Sequence, residues 1–277
     1  RKLEAPKLYH VHFDLNDLTT AISAAQEATK IAQESHGGQL HVLVNNAGAG
    51  VLSYATTKQN VEANVGRNFL APHLLTEKLL PVLQAAATST YKPRCVFVAS
   101  LAYSLSTDYD PQLCLATPAE GGAPTGNLKL QTDGSSQAGL MEMTFMYGRA
   151  KLGDVAAAHY MAQQYPDLNF TSLHPGSILS NFGSTALGLV GQLSYYLTYP
   201  FQYSASQGAV TALRVALDPD FNTVPALQGA YLHCDGNPWS KEALILSDPE
   251  TQQPYEWNKY ATKVVTLANE LIAKLLV

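Results

Sequence analysis

The stretch "LHVLVNNAG", residues 40–48, places a continuous apolar run directly before two amides, an alanine and a glycine. An unbroken apolar run of this length is typical of a strand that is buried on both faces of a parallel sheet. Asn and Gly are the residues expected in a tight turn, although a turn explains Gly48 better than it explains all of "NNAG". The stretch therefore predicts a central strand that ends in a functional turn.

Strands and helices alternate on both sides of this stretch. Further strands are predicted at residues 7–13, 95–100, 168–174 and 229–234. Helices are predicted at residues 18–35, 61–83, 142–165, 204–216 and 258–274, and "DLND" at 14–17 offers an N-cap to the first of them. The alternation predicts an α/β fold with a doubly wound parallel sheet, in which ligands bind beyond the carboxyl ends of the strands.

The length of 277 residues predicts a single domain over residues 1–277, with a helical tail at 250–277. Residues 103–140 are rich in Pro, Gly, Ser and Thr, and they are predicted to form a long irregular insertion.

The charge and cysteine content exclude several classes of function. The net charge is -5 and no run of Lys or Arg is present, so we expect no nucleic acid partner. The three cysteines lie far apart and not in CxxC spacing, which argues against a disulfide framework and against a metal site. We expect a reducing compartment, either the cytoplasm or the cytoplasmic face of a membrane. Charged residues make up only 14%, so a ligand, a second subunit or a membrane is expected to cover part of the surface.

Residues 168–213 contain no Asp, Glu, Lys or Arg. The apolar and aromatic part of this segment, "STALGLVGQLSYYLTYPF", is interrupted by Gly and Pro. It is therefore a poor candidate for a transmembrane helix, which needs about 20 predominantly apolar residues. Two interpretations stay open: the segment is ordinary core and interface, or it covers a ligand.

Tyr147 and Lys151 lie four residues apart in a predicted helix and so share one face. A nearby ammonium favours the phenolate and lowers the pKa of a tyrosine from its usual value of about 10. By itself the pattern YxxxK is common enough to be an exposed pair without a role. Ser100 follows a predicted strand, where its hydroxyl either stabilises charge on a substrate oxygen or simply ends the strand.

The combination of these motifs is more specific than any one of them. "NNAG" at 45–48, Ser100, "YGRAK" at 147–151 and "HPGSILS" at 174–180 occur in the order and spacing of the short-chain dehydrogenases/reductases. The chain resembles that family over residues 7–235, and within it most resembles the retinol dehydrogenase-like group.

The resemblance implies a role for each matching residue. Tyr147 matches the general acid/base, and Lys151 matches the residue that lowers its pKa and holds the nicotinamide ribose. Ser100 matches the hydroxyl that polarises the carbonyl, and Asn64 in "EANVGRNFL" matches the asparagine that supports a proton-relay water. The implied reaction is hydride transfer between nicotinamide and a hydrophobic alcohol or ketone.

The implied cofactor is NADP, with NAD as the alternative. The resemblance sets Asp14, Asn45, Ala47 and Gly48 against its adenosine half, and Tyr147, Lys151, Pro175, Gly176, Ile178 and Ser180 against its nicotinamide half. Ser180 stands where threonine is commoner in the family. The implied substrate is a lipophilic small molecule, and we also expect peripheral contact with a membrane and a homodimer formed through the apolar side of the 61–83 helix.

The chain departs from the family in two respects. First, 46 residues lie between Ser100 and Tyr147, considerably more than is usual. Second, no glycine-rich GxxxGxG turn, which would hold the cofactor pyrophosphate, precedes Asp14. We therefore expect an N-terminally truncated sequence that lacks the first two strands of the sheet and binds the cofactor weakly by itself. The alternative is a catalytically inactive relative that serves as a binding or scaffold protein.

Overall fold

The computed structural model describes residues 7–50, 55–105, 140–178, 202–234 and 256–277. The strands are β1 (Val42–Asn45), β2 (Arg94–Val98), β3 (Asn169–Leu173) and β4 (Tyr231–Leu232). The helices are α1 (Leu18–Ser35), α2 (Ala63–Val65), α3 (Ala71–Gln84), α4 (Leu140–Gln164), α5 (Ala205–Leu217), α6 (Asp220–Thr223) and α7 (Trp257–Leu275). A π-helical turn, Gly66–Leu70, joins α2 to α3, and 3-10 turns lie at Leu101–Leu105 and Pro225–Leu227.

The four strands form one parallel sheet in the order β1-β2-β3-β4, which confirms the predicted α/β fold. The register pairs Asn45 with Phe97, and Val98 with Leu173, so the strands end along a common edge. That edge is the one at which the sequence predicts the ligand site.

Alternate residues of β2 contribute to two separate cores. Cys95 and Phe97 belong to the larger core, in which α1, α3, α4 and α7 cover one face of the sheet. Val96 belongs to a smaller core with Val215 of α5 and Phe221 of α6 on the opposite face. This alternation follows from the period of two in a strand and gives the helix-sheet-helix layering expected of the fold.

Two details of the predicted sheet are wrong. Residues 7–13 form no strand in the described structure, and Leu8 is 98% exposed. An extended segment becomes a strand only where it can form hydrogen bonds with a neighbouring strand, and no strand of the described residues lies beside this segment. β1 is also not buried on both faces: Val44 is 42% exposed, because β1 is an edge strand of the described sheet. The predicted loss of two strands by truncation stays a prediction.

Helix α1 begins as predicted, because Asp17 caps it. The Oδ1 atom of Asp17 accepts a hydrogen bond from the backbone N of Thr19 at 3.0 Å. The Nζ atom of Lys58 lies 2.6 Å from Oδ2, and this hydrogen bond is the main reason that the pKa of Asp17 falls far below its usual value. A charged cap of this kind stabilises the first turn through the unpaired backbone N–H groups of the helix.

The apolar side of the predicted 61–83 helix is buried within the chain. Six of the seven apolar residues predicted for this side belong to the larger core, and the seventh, Leu75, is half-buried and packs against it; the six are Val61, Leu70, Leu74, Leu79, Leu80 and Leu83. His73 of α3 also bonds Asn269 of α7 at 2.9 Å, so α7 lies alongside this helix. The side on which we expected a second subunit to dock is thus occupied by the chain itself, and the surface predicted for the homodimer is wrong.

Three predictions fall wholly or largely outside the described residues. They concern the insertion at 103–140, the centre of the uncharged segment at 168–213, and the beginning of the tail at 250–277. Within the parts of the chain that the structure describes, no helix is both long enough and apolar enough to cross a membrane.

Candidate active site

A cavity of about 1020 Å³ opens at the carboxyl edge of the sheet. The ends of β1, β2 and β3 form its floor, and α4 and α5 form its sides. Its polar and glycine residues include Asn46, Gly48, Asn68, Ser100, Tyr147, Lys151, His174 and Gly176. The cavity is at the upper end of the usual size for a small-molecule site, which is about 300 to 1,000 Å³.

The cavity brings together three of the four predicted catalytic residues. Tyr147 and Lys151 share one face of α4, with the Lys151 Nζ 5.8 Å from the centre of the Tyr147 ring. Ser100, which follows β2, forms a side-chain hydrogen bond with Tyr147. Lys151 is buried, and its Nζ donates to the carbonyl of Val98 at 2.8 Å. A hydroxyl, a phenol and an ammonium therefore line one wall.

The pKa of Tyr147 is raised above its usual value, because burial penalises the phenolate more than its neighbours favour it. The ammonium of Lys151 and the hydrogen bond from Ser100 both lower this pKa. Lys151 thus acts on Tyr147 in the predicted direction, although the net shift is upward.

Asp154, which the sequence analysis did not single out, lies one turn beyond Lys151. Its Oδ2 is 3.0 Å from the Lys151 Nζ, and both side chains are buried. Burial raises the pKa of Asp154 to about 6, while Lys151 lowers it. Burial also lowers the pKa of Lys151, but the charges of Asp154 and Tyr147 outweigh this effect and raise it overall. The spacing of three residues in "KLGD" was the available signal for this pair.

The fourth predicted catalytic residue, Asn64, is not among the residues that line the cavity. It is fully buried, and its Nδ2 donates to the Glu62 carboxylate at 3.0 Å. Asn68, one turn later in the π-helical turn, does line the cavity. Its Nδ2 donates to the carbonyls of Asn64 and Ala49, both at 2.9 Å. Of the two asparagines in "EANVGRNFL", Asn68 lines the cavity and the predicted Asn64 does not.

Three residues predicted to contact the adenosine half of a cofactor also lie outside the cavity lining. Asp14 is exposed, and its carboxylate accepts from the backbone N of Asn16 at 2.9 Å. Asn45 turns away and donates to the Thr76 hydroxyl at 2.8 Å, and Ala47 is exposed. Successive residues of a strand point to opposite faces, and accordingly Asn46 lines the cavity together with the predicted Gly48.

The segment after β3 reaches the cavity as predicted. Pro175, Gly176 and Ile178 line it, whereas Ser180 lies outside the described residues. Gly176 has φ +94° and a Cβ there would lie 2.5 Å from the Tyr203 ring, so only glycine fits this position without strain.

His174 also lines the cavity, and its Nδ1 is buried with no hydrogen-bond partner in the described structure. Burial and, to a smaller extent, the neighbouring His233 lower the pKa of His174 to about 4. Among the residues that the structure covers, no group of three or more His, Cys, Asp or Glu side chains is placed to hold a metal ion.

Comparison with known proteins supports the resemblance seen in the sequence. No protein-family model matches the chain. The chain is 32% identical over 230 residues to the short-chain dehydrogenase/reductase iacJ of Pestalotiopsis fici, a match that covers 80% of this chain and 61% of iacJ. It is 30% identical over 220 residues to retinol dehydrogenase 12 of Mus musculus, with 79% of this chain and 58% of that protein covered.

The chain is a homologue of the short-chain dehydrogenases/reductases. It spans about three fifths of the length of these two curated relatives. The predicted family resemblance, including the resemblance to retinol dehydrogenases, is confirmed.

Solved structures of proteins with this fold resemble the chain as well. The NADPH-bound carbonyl reductase from chicken fatty liver matches with a TM-score of 0.53 at 18% identity, over 83% of this chain and 75% of that one. A 3-oxoacyl-acyl-carrier-protein reductase from Brucella melitensis in complex with NAD matches with a TM-score of 0.51 at 16% identity, over 81% and 75%. At these identities the similarity concerns the fold alone.

Proposed function

We propose that this chain carries an oxidoreductase site that transfers hydride between a nicotinamide cofactor and a hydrophobic alcohol or ketone. The observation that carries the proposal is the meeting of Ser100, Tyr147 and Lys151 on one wall of the cavity. Interconversion of an alcohol and a carbonyl needs a proton donor and acceptor and a group that stabilises charge on oxygen. The names of the homologous dehydrogenases and reductases support the same reaction class.

Each of the three side chains has a distinct task in this proposal. In the reductive direction the Tyr147 hydroxyl donates its proton to the substrate oxygen, and in the oxidative direction the phenolate takes that proton back. The Ser100 hydroxyl donates a hydrogen bond to the same oxygen as its negative charge grows. Lys151 stabilises the phenolate, in keeping with its lowering of the Tyr147 pKa. A bound nicotinamide supplies or accepts the hydride.

The residues of the cavity fit a nicotinamide cofactor. Gly48 and Gly176 line the cavity without side chains, so a ligand can contact their backbone atoms, and Ile178 adds an apolar surface beside α5. The Lys151 ammonium donates two of its three N–H groups to Val98 and Asp154, and the third is proposed to bind the ribose hydroxyls. The bound cofactors of the similar structures, NADPH and NAD, support a nicotinamide cofactor, and we propose NADP with NAD as the alternative.

We propose Asn68, in place of Asn64, as the asparagine that assists proton transfer. Asn68 reaches the cavity, and its amide bridges the helical segment and the turn after β1. A π-helical turn widens the backbone and is frequently found at functional sites. Asn64 instead serves the cap of α2 through Glu62.

The proposed substrate is lipophilic. Small and apolar residues of α5, including Ala209, Ala212 and Leu213, face the cavity, and Val98 and Leu173 extend this apolar surface. An apolar wall of this kind favours a hydrocarbon substituent over a charged one, because none of the described residues on it carries a charge that could pair with the substrate. The similarity to a retinol dehydrogenase supports the same substrate class.

We further propose that the chain contacts a membrane surface through α5 and works in the cytoplasm or at the cytoplasmic face of a membrane. The support for this contact is the row of exposed apolar side chains on α5, in which Val210, Leu213 and Leu217 are 58%, 54% and 72% exposed. Co-sedimentation with anionic vesicles, lost in Val210→Asp with Leu217→Asp, would support it. A homodimer also stays a proposal, to be tested by light scattering.

Substitution of the proposed acid/base tests the function directly. Tyr147→Phe removes one hydroxyl, and we expect it to lower the rate of NADPH oxidation with lipophilic ketones by about 10²-fold or more. Tyr160→Phe is the matched control, since Tyr160 lies on the same helix but not at the cavity. Fluorescence titration with NADPH should give similar affinities for all three proteins.

Two results would contradict the proposal. One is a Tyr147→Phe protein that is as active as the parent chain. The other is turnover confined to small charged substrates, which would contradict the lipophilic substrate and leave the reaction class intact. Activity of the unchanged chain must first be established with both NADPH and NADH.

A further inference from the structure

Asp154 is a buried carboxylate beside the proposed catalytic residues, with its hydrogen-bonding capacity only half used. Oδ2 contacts the Lys151 Nζ at 3.0 Å, and the side chain of Asp154 is only 3% exposed. Oδ1 is buried as well, and it has no hydrogen-bond partner in the described structure. A buried carboxylate oxygen without a donor is costly, so this carboxylate depends on its one partner, Lys151.

Few charged or titratable groups of the described residues interact with the Asp154–Lys151 pair. On α4 itself, the electrostatic partners of Asp154 are Lys151 and Tyr147. From β2 the facing group is the uncharged carbonyl of Val98. The other charged and titratable groups on neighbouring elements interact with residues other than Asp154. Glu62, beside α2, interacts electrostatically with Arg149. Tyr231 of β4 interacts electrostatically with Tyr147 and with Tyr103 of the 3-10 turn. Within the described parts of the chain, Lys151 is thus the charged group that bears on Asp154.

Asp154 and Lys151 have opposite effects on Tyr147. The ammonium lowers the pKa of Tyr147, and the carboxylate raises it. The carboxylate also competes for the ammonium, since Lys151 divides its hydrogen bonds between Asp154 and Val98. The charge that Tyr147 experiences therefore depends on whether Asp154 carries a proton.

We propose that Asp154 is a positioning residue that holds Lys151 in place and, through its own charge, restrains the effect of Lys151 on the Tyr147 hydroxyl. The proposal rests on the function proposed above. In the charged state Asp154 keeps Tyr147 a weaker acid, and when Asp154 is protonated the full charge of Lys151 acts on Tyr147. Burial brings the pKa of Asp154 to about 6, so the exchange between the two states falls close to neutral pH.

The decisive variant is Asp154→Asn, which preserves the shape of the side chain and an acceptor for Lys151 but removes the charge. Oxidation of an alcohol requires the Tyr147 phenolate, so its rate rises with pH through the pKa of Tyr147. We expect the pH at which kcat/KM rises to be lower in Asp154→Asn than in the parent chain. At a pH within this rising part of the profile, kcat/KM of Asp154→Asn should exceed that of the parent chain by about threefold or more. Asp167→Asn, a change at an exposed aspartate beyond α4, is the control and should leave the profile in place.

A second measurement needs neither cofactor nor activity. In the cofactor-free chain, ¹³C NMR of labelled aspartate carboxyls should show a resonance that titrates near pH 6 and is missing from Asp154→Asn. Lys151→Met should move its midpoint upward, because it removes the ammonium that lowers the pKa of Asp154. This arm also applies if Asp154→Asn fails to fold, since the midpoint can be followed in the parent chain and in Lys151→Met.

The outcomes separate the two proposals. If activity depends on Tyr147 but the pH profiles of Asp154→Asn and the parent chain superimpose, the role of Asp154 is overturned and the proposed function stands. If Lys151→Met leaves the carboxyl midpoint unchanged, the coupling is also overturned. If no oxidoreductase activity is found, the proposed function fails, whereas the NMR result still decides whether Asp154 and Lys151 form the inferred pair.

Discussion

The Oδ1 atom of Asn68 lies 2.5 Å from the position that a Cβ on Gly48 would occupy. The same oxygen accepts a hydrogen bond from the backbone N of Ala49 at 2.9 Å, and the amide nitrogen donates to the carbonyl of Ala49 at 2.9 Å. The turn after β1 and the π-helical turn thus pack closely together, because the Asn68 side chain bonds Ala49 and Gly48 has no side chain to obstruct it. This contact forms part of the cavity wall opposite the segment that follows β3.

Because of this contact, we expect the effect of Gly48→Ala on stability to depend on the residue at position 68. Gly48→Ala forces a methyl group against the Asn68 amide, and we expect it to destabilise the chain by about 1 to 3 kcal/mol. In a chain that already carries Asn68→Ala the opposing atom is gone, so the same Gly48→Ala should cost less. Urea unfolding of the parent, both single variants and the double variant measures the difference. Strictly additive costs would contradict the interlocking contact.

Substitutions of the two asparagines are expected to affect different properties: Asn68→Ala mainly lowers activity, and Asn64→Ala mainly lowers stability. Asn68→Ala removes a group from the cavity wall, and we expect about a tenfold or greater loss of activity. Asn64→Ala removes a buried side chain that bonds Glu62. It should lower the unfolding free energy by about 1 to 3 kcal/mol and change kcat much less. Steady-state kinetics with parallel denaturation curves would reveal the opposite pattern if Asn64 were the functional residue.

His174 predicts a loss of stability in mild acid. In the folded chain the pKa of His174 is lowered to about 4. In the unfolded chain the same ring has its ordinary pKa, so it binds a proton at a higher pH than it does in the folded chain. The stabilisation by neutral His174 is present above the unfolded pKa of about 6.5 and is lost as the pH falls through that value towards 4. His174→Phe should therefore lose less stability than the parent chain between pH 7 and pH 5.

The control for this prediction is His12→Phe, because His12 is exposed on the surface. Urea unfolding at several pH values compares the slopes of stability against pH, which report the difference in bound protons between the two states. His12→Phe should retain the slope of the parent chain. The assignment to His174 would be wrong if His174→Phe retained that slope as well.

Much of the fold was predictable because its signals are local. Helices α1, α4, α5 and α7 and strands β2 and β3 follow from apolar periodicity and end signals such as the Asp17 cap, all of which lie within a few residues of one another. The segment at 7–13 failed because a strand needs a partner, and a sequence pattern of period two does not reveal whether a neighbour exists.

The structure brings part of the predicted site together for a related reason. Motifs placed Ser100, Tyr147 and Lys151 on one wall, since the ends of parallel strands and the face of one helix fix their positions. Asn64 was predicted from the motif alone, whereas Asn68, four residues later, is the asparagine that lines the cavity. The π-helical turn that contains Asn68 changes the backbone register and so changes which side chain faces the cavity. Such a turn cannot be read from the sequence.

Substitution of Arg94, at the start of β2 and far from the proposed catalytic residues, is expected to lower the stability of the chain strongly. Its side chain is fully buried on the face of the sheet opposite α4. The guanidinium donates to the carbonyls of Val215 and Asp218 at the end of α5, both at 2.9 Å, and to the Asn222 side chain at 2.9 Å. It thereby satisfies the last carbonyls of a helix, which otherwise lack partners.

A lysine at this position preserves the charge but cannot reproduce the planar set of donors. We expect Arg94→Lys to lower the free energy of unfolding by about 2 to 4 kcal/mol, since buried carbonyls lose their partners. Arg214→Lys is the matched control: its salt bridge to Asp218 is partly exposed, and its loss should cost less than about 1 kcal/mol. Urea unfolding of both variants distinguishes them, and similar small changes would show that Arg94 does not hold the end of α5 to the sheet.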